Sequence, residues 1–206
     1  KKTSEERGPL SSVVKWDFES GDMVSLRSQG KVEHGQAGPR PPEFPGMVAG
    51  NQAVRLGTAD YLVAEDPGTD SVFDFSNGDD VTIEAWVNPS GLREGQVSYV
   101  VGKGRTGSPR FAPDNQNWSL RLIGAGSQAK ISFLFANRHT RGDDHWHRWD
   151  SKSAFPVGTG WHHVAIAYRF GSPGSIRGWI KSRDPSRLHP VGRSVPTARN
   201  SSFRAL

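Results

Sequence analysis

Residues 81–90, VTIEAWVNPS, limit what this chain can fold into more than any other stretch. They carry the densest β signal in the sequence. Val81, Ile83, Ala85 and Val87 share one face of an extended strand, and Thr82, Glu84, Trp86 and Asn88 share the other, because successive strand side chains point to opposite sides. Trp86 makes the second face partly apolar, which predicts a central strand covered on both sides rather than an edge. Pro89 then removes an amide donor and Gly91 permits a turn, so the strand stops there.

The same period of two recurs along the chain. Strands are expected at 13–18 (VVKWDF), 52–56, 61–64, 97–101, 118–122, 129–136, 161–170 and 175–180, with a short one near 31–33. Turn signals separate them: Asn77-Gly78-Asp79-Asp80, Gly124-Ala125-Gly126-Ser127 and Ser172-Pro173-Gly174. Residues 19–49 hold four prolines and little alternation, and read as a long surface excursion. Residues 137–153 read as a long loop, charged and aromatic. Short strands about ten residues apart are the mark of a β-sandwich or jelly roll.

Composition removes several functions. The 206 residues include no cysteine, so disulfides, thiolate metal sites and thiol catalysis are excluded. No apolar run approaches the ~20 residues that cross a bilayer, so no membrane insertion is expected. Residues 1–10 contain two lysines but no apolar stretch and do not read as an intact signal peptide, and a mature or excised fragment would look the same. The net charge of +5 resides entirely in residues 181–206, where six basic residues face one acid. A nucleic-acid-binding stripe belongs on folded surface, so a basic surplus in a Ser-, Pro- and Arg-rich tail argues against that partner. The expected organisation is a frayed N-terminus at 1–12, a sandwich domain at 13–180 and an atypical basic tail at 181–206.

Three stretches carry a resemblance in order and spacing: AVRLGTADYLVAEDP, then VTIEAWVNPSG with YVVGKG, then FPVGTGWHHVAIAYRFGSPGSIRGWI. Together they resemble the laminin-G-like branch of the concanavalin A-like lectin/glucanase superfamily, as found in bacterial LamG-type modules. The resemblance covers about residues 53–180 and is specific for fold, much less so for function. It implies an all-β, two-sheet antiparallel jelly-roll sandwich. It also implies a module of a larger exported bacterial protein in an extracytoplasmic setting, glycan as a frequent ligand, and often a structural Ca²⁺. After Ile180 the sequence departs from the family pattern, which expects an Asp-Gly turn and further strands.

The most unusual stretch is Asp143, Asp144, His145, Trp146, His147, Arg148 and Trp149. Tryptophan rings can stack on the apolar face of a sugar while Asp, His and Arg bond its hydroxyls, and binding residues cluster on loops of rigid scaffolds. These seven residues are the expected ligand contacts. If extended, His145 and His147 would face one way and Trp146 the other, and two such imidazoles beside carboxylates also suit a transition metal. A packed satellite core is the competing reading. For the Ca²⁺ that the resemblance implies, Asp17, Glu19 and Asp22, with Asp60 and Asp79/Asp80, offer hard oxygen donors, and Asp17 and Asp60 are taken as the candidate ligands, although no EF-hand spacing is present. Adjacent His162 and His163 diverge on a regular strand and cannot chelate one ion, so one of them is expected to be a hydrogen-bonded structural residue.

Glu84 lies where the related glucanases carry paired acids. A retaining glycosidase needs two carboxyl groups roughly 5–5.5 Å apart, and the strand Glu84-Ala85-Trp86-Val87-Asn88 supplies one. Gly102–Gly107 matches G-x-G-x-x-G but is followed by Ser108-Pro109, which cannot open the helix a dinucleotide site requires. The expected function is therefore a non-catalytic module that recognises glycan or another extracellular ligand. A structural domain packing against neighbouring domains is the alternative, and a glycoside hydrolase the third reading.

Overall fold

The computed structural model describes residues 13–19, 26–66, 68, 71–104, 118–136, 146–182 and 189–191. The described residues form twelve strands and no α-helix. Every strand pair is antiparallel, as the sequence predicts. The chain divides into two units, 1–74 and 75–206.

In the first unit β1 (Leu26–Gln29) pairs with β4 (Tyr61–Ala64), and β2 (Glu33–Ala37) pairs with β3 (Gln52–Arg55). The excursion before β3 is tied down by polar bonds. The Arg40 side chain donates from Nε and Nη2 to the Asn51 carbonyl at 3.0 and 2.9 Å, and Asn51 Nδ2 donates to the Pro39 carbonyl at 2.9 Å. The expected strand VVKWDF does not form. Lys15 reaches Asp17 at 3.2 Å, the Glu19 amide donates to Asp17 Oδ1 at 3.1 Å, and Phe18 takes the left-handed φ of 58°. A local Asx turn of this kind competes with a sheet ladder.

The second unit holds β5 (Asp80–Val87), β6 (Val97–Lys103), β7 (Trp118–Ala125), β8 (Gln128–Ala136), β9 (Trp146–Pro156), β10 (His162–Arg169), β11 (Arg177–Lys181) and β12 (His189–Val191). One four-stranded sheet runs β12–β11–β10–β5 and the other β6–β7–β8–β9. Ring contacts join their inner faces. Phe133 of β8 lies 6.0 Å from Tyr168 of β10, Phe135 lies 5.3 Å from both Tyr168 and Phe170, and Phe155 of β9 lies 4.6 Å from His162. Leu120, Ile131, Val164 and Ile166 are fully buried beside them. At about 1.5–3 kcal/mol for each large apolar side chain buried, these inner faces supply most of the stabilisation.

Three expectations are corrected here. β5 ends its sheet among the described residues instead of lying in the middle; its second apolar side is met laterally, where Trp86 packs 5.2 Å from the His163 ring of β10. Residues 146–153, read as loop, belong to the eleven-residue strand β9. A bulge hides that strand's period, because Ser151, Lys152 and Ser153 stand where β8 places Ile131 alone. The Ser151 hydroxyl takes up the ladder's loose ends, accepting from the Ile131 amide at 3.0 Å and donating to the Ser153 carbonyl at 2.7 Å. Finally, residues 189–191 within the expected tail pair with β11; three residues are too few to show alternation. The frayed N-terminus expected at 1–12 lies outside the described residues.

One glycine fixes the distance between the sheets. A Cβ built on Gly178 of β11 would stand 2.5 Å from Cη2 of Trp149 on β9. Gly178→Ala should therefore lower unfolding free energy by about 1–3 kcal/mol through overpacking, read as a lower urea midpoint at an unchanged m-value. Burial pushes the Tyr168 hydroxyl from its ordinary 10.0 up to about 12. A pKa raised on folding gives stability that is intact below pH 10 and is lost as pH rises towards 12. Alkaline titration of unfolding should thus show a loss on the order of 2 kcal/mol that Tyr168→Phe does not show.

Candidate ligand-binding face

Strand β9 sorts the expected ligand residues onto two faces. Asp143, Asp144 and His145 lie outside the described residues. His147 and Trp149 point inward: His147 stacks on Phe135 at 4.8 Å, and Trp149, 3% exposed, abuts Gly178 of the opposite sheet. Trp146 and Arg148 alternate with them and so point outward, away from the partner sheet, together with Asp150. Trp149 is therefore a core side chain and cannot stack on a ligand. Trp146 is half-buried and Arg148 exposed.

The register of the sheet assembles the rest of this outer face. One cross-strand row reads Tyr99, Arg121, Ser132, Asp150, and the next reads Gly102, Ser119, Leu134, Arg148. On β7 the inner positions are Trp118, Leu120 and Leu122, which leaves Ser119 and Arg121 on the outside. Both are nonetheless deeply buried, Ser119 at 0% and Arg121 at 4% exposed. Arg121 Nη2 donates to the Ser132 hydroxyl at 2.8 Å, and the guanidinium lies 5.9 Å from the centre of the Tyr99 ring. Among the described residues its Nε–H has no hydrogen-bond partner, nor does the Ser119 hydroxyl.

Among the described residues the charge balance on this face is positive. Burial lowers the Arg121 pKa from its ordinary value, and the neighbouring Arg148 charge lowers it further; Tyr99 and Asp150 oppose both effects. Two guanidinium groups thus face one carboxylate. A buried donor with no acceptor costs about 1–3 kcal/mol.

The other candidate residues fall elsewhere. Asp17 is engaged with Lys15 and the Glu19 amide. Asp60 accepts from the Lys31 amide at 2.8 Å and the Gly57 amide at 2.9 Å, which is turn-capping geometry. Among the described residues no three His, Asp or Glu side chains converge on a point that could hold a metal ion. His162 is the buried structural histidine, bonded to Thr159 at 3.1 Å and Ser182 at 2.8 Å. His163 points the other way and meets Glu84 at 3.2 Å.

The profile of the Concanavalin A-like lectin/glucanases superfamily matches residues 56–178, more than half of the chain. The chain belongs to that superfamily. No curated protein and no solved structure matches it. The superfamily takes in lectins and glucanases alike, so membership establishes the all-β scaffold and leaves binding and hydrolysis both open. Glucanase chemistry needs two carboxyl groups on one surface, and Asp150 is the single acidic residue on β6 to β9. On β5, Glu84 and Asp80 share a face but stand four residues, roughly 13 Å, apart along the strand. Asp80 is moreover held by Arg169 through bonds of 2.9 and 2.6 Å, which keep its pKa below the ordinary carboxylate value.

Tyr99, Ser119, Arg121 and Ser132 were not among the residues expected to bind. Their signal in the sequence was an arginine and two serines set into strands otherwise rich in Leu, Ile and Phe. The split of β9 has a direct test. Trp149→Ala should cost about 3–5 kcal/mol in chemical unfolding, as for a buried aromatic, and Trp146→Ala should cost much less.

Proposed function

We propose that this chain is a non-catalytic glycan-binding module of a larger exported bacterial protein, and that the outer face of the β6–β7–β8–β9 sheet receives the sugar. The observation that carries this reading is the juxtaposition, on one face, of Trp146 and Tyr99 with Arg121, Arg148, Asp150, Ser119 and Ser132. Half-buried rings give a sugar an apolar surface, and the exposed Arg148 with the half-buried Asp150 gives its hydroxyls partners. A rigid sheet holds both sets in place. The lone acid on these strands supports binding over hydrolysis, since one carboxylate cannot serve as both acid and nucleophile in a two-carboxylate mechanism. Superfamily domains of this kind are typically extracellular, which supports the exported setting.

A glycan array followed by calorimetric titration tests this. At least one oligosaccharide should bind, and Trp146→Ala should weaken it about tenfold or more while thermal unfolding shifts little. A broad panel with no binder, or a binder indifferent to Trp146→Ala and Tyr99→Ala alike, would refute the assignment of this face.

A further inference from the structure

We propose that Asn77 is a latent modification site, at which the Gly78 nitrogen converts the side-chain amide to aspartate and isoaspartate, and that the folded corner joining β5 to the end of β10 keeps it shut. The site is independent of any ligand-binding face.

The chemistry begins in the sequence. Asn77-Gly78 is the single Asn-Gly pair among the 206 residues. Glycine offers the least hindered backbone nitrogen, because it carries no Cβ. Asn88, by contrast, precedes Pro89, which has no N–H to lose. Base removes the Gly78 amide proton, and the nitrogen attacks Asn77 Cγ. A new N–Cγ bond forms, the Cγ–Nδ2 bond breaks, and Nδ2 leaves as ammonia. Water then opens the cyclic imide. Cleavage of the new N–Cγ bond gives aspartate. Cleavage of the original peptide bond gives isoaspartate, in which the chain runs through the side chain. The amide and a water become an acid and ammonia, with no change of oxidation state.

The fold denies the first step its nucleophile. Asn77 and Gly78 are exposed, so water and base reach them. Yet the Gly78 amide donates to the Phe170 carbonyl at 2.9 Å, and the Phe170 amide donates to the Asp79 carbonyl at 2.9 Å. The Asp79 amide closes the turn on the Ser76 carbonyl at 3.0 Å, and Asp79 Oδ2 accepts from the Ser76 amide at 2.7 Å. The Asn77 side chain lies across Gly171, where an added Cβ would stand 3.1 Å from Asn77 Cγ. The acceptor is itself anchored: Phe170 is buried, and its ring stacks on Phe75 at 5.2 Å. Freeing the Gly78 nitrogen therefore requires the corner to open against the aromatic block. After reaction the corner cannot close as before. Isoaspartate adds a backbone carbon ahead of Gly78, which moves the nitrogen off Phe170. Either product also sets a new carboxylate beside Asp79 and Asp80. Modification of Asn77 is thus a one-way record of corner opening.

Incubation of the full chain in mildly alkaline buffer, with and without urea, followed by mass mapping of the peptide that holds Asn77, tests this. The urea-unfolded chain should gain aspartate and isoaspartate at Asn77, and the native chain should do so about tenfold or more slowly. Hydrogen exchange at the Gly78 amide should be slowed by a similar factor, because both reactions wait for the same opening. Asn77→Gln, whose longer side chain disfavours the ring, should stay unmodified in both conditions. Native chain carrying isoaspartate should unfold at lower urea than Asn77→Asp, which brings the charge without the extra carbon. Equal rates in native and unfolded chain, or no reaction in either, overturn the inference. So does a Gly78 amide that exchanges freely while Asn77 is spared, because the bond to Phe170 is then not the restraint. An isoaspartyl chain that unfolds at the same urea concentration as the unmodified one overturns the loss of closure.

Discussion

Four rings hold the two sheets of residues 75–206 at a fixed separation, and the other features of this unit follow from that. Phe133 and Phe135 of β8 pack against Tyr168 and Phe170, with centroids 5.3–6.0 Å apart across the interior. Phe75 extends the block, stacking on Phe170 at 5.2 Å and tilting against Trp118 at 5.7 Å. Such pairs are directional, worth about 0.5–1.5 kcal/mol each beyond area burial. They fix the facing of β8, and the register then fixes the facing of β7 and β9. A one-residue slip of β9 would exchange the faces, sending Arg148 and Asp150 into the aromatic block and Trp149 outward. The burial cost of that exchange is what specifies the outer row.

The two sheets solve the problem of their outer faces differently. On β5 and β10 each acid has a partner within the sheet: Asp80 with Arg169 at 2.6 Å, Glu84 with the His163 ring at 3.2 Å. Small side chains, Ala165 and Ala167, lie between them. On β6 to β9 the answer is incomplete. Arg121 has one bond to Ser132 and a ring beside it, while its Nε and the Ser119 hydroxyl are left over. Surface pairs such as Asp80–Arg169 contribute little net stability because water screens them. A buried, partly satisfied guanidinium contributes a cost instead, so it points to a role outside stability.

The sequence showed the fold wherever period two was unbroken. β5, β7, β8 and β10 carry clean alternations, and the turns at Gly78 and Pro173 lie where Gly and Pro mark them. β9 was concealed because its outward residues are charged and its bulge inserts Ser151–Ser153 against a single partner, so the stretch reads as polar loop. VVKWDF misled in the opposite direction: its alternation is sound, but a neighbouring carboxylate captures the Glu19 amide and turns the chain at Phe18. Edge or centre is likewise not written in one strand, since Trp86 needs cover and a flanking imidazole provides it. The candidate face was legible in part. Trp146 and Arg148 came from composition, whereas Tyr99, Ser119, Arg121 and Ser132 join them only through pairings between strands far apart in sequence.

The position of Trp149 links core and surface on a single strand. Its ring occupies the space that Gly178 leaves by having no side chain, which pins the middle of β9 to the opposite sheet. Arg148 and Asp150, its immediate neighbours, project from a backbone that the ring holds in place. The β9 end of each polar row is thus positioned by an apolar contact on the reverse side of the same sheet. A loop would have carried the same residue types with far more freedom to lose on binding, at about 1–2 kcal/mol per residue ordered. A strand anchored by a buried tryptophan has already lost that freedom, so the charges of Arg148 and Asp150 stand in fixed relation to Arg121.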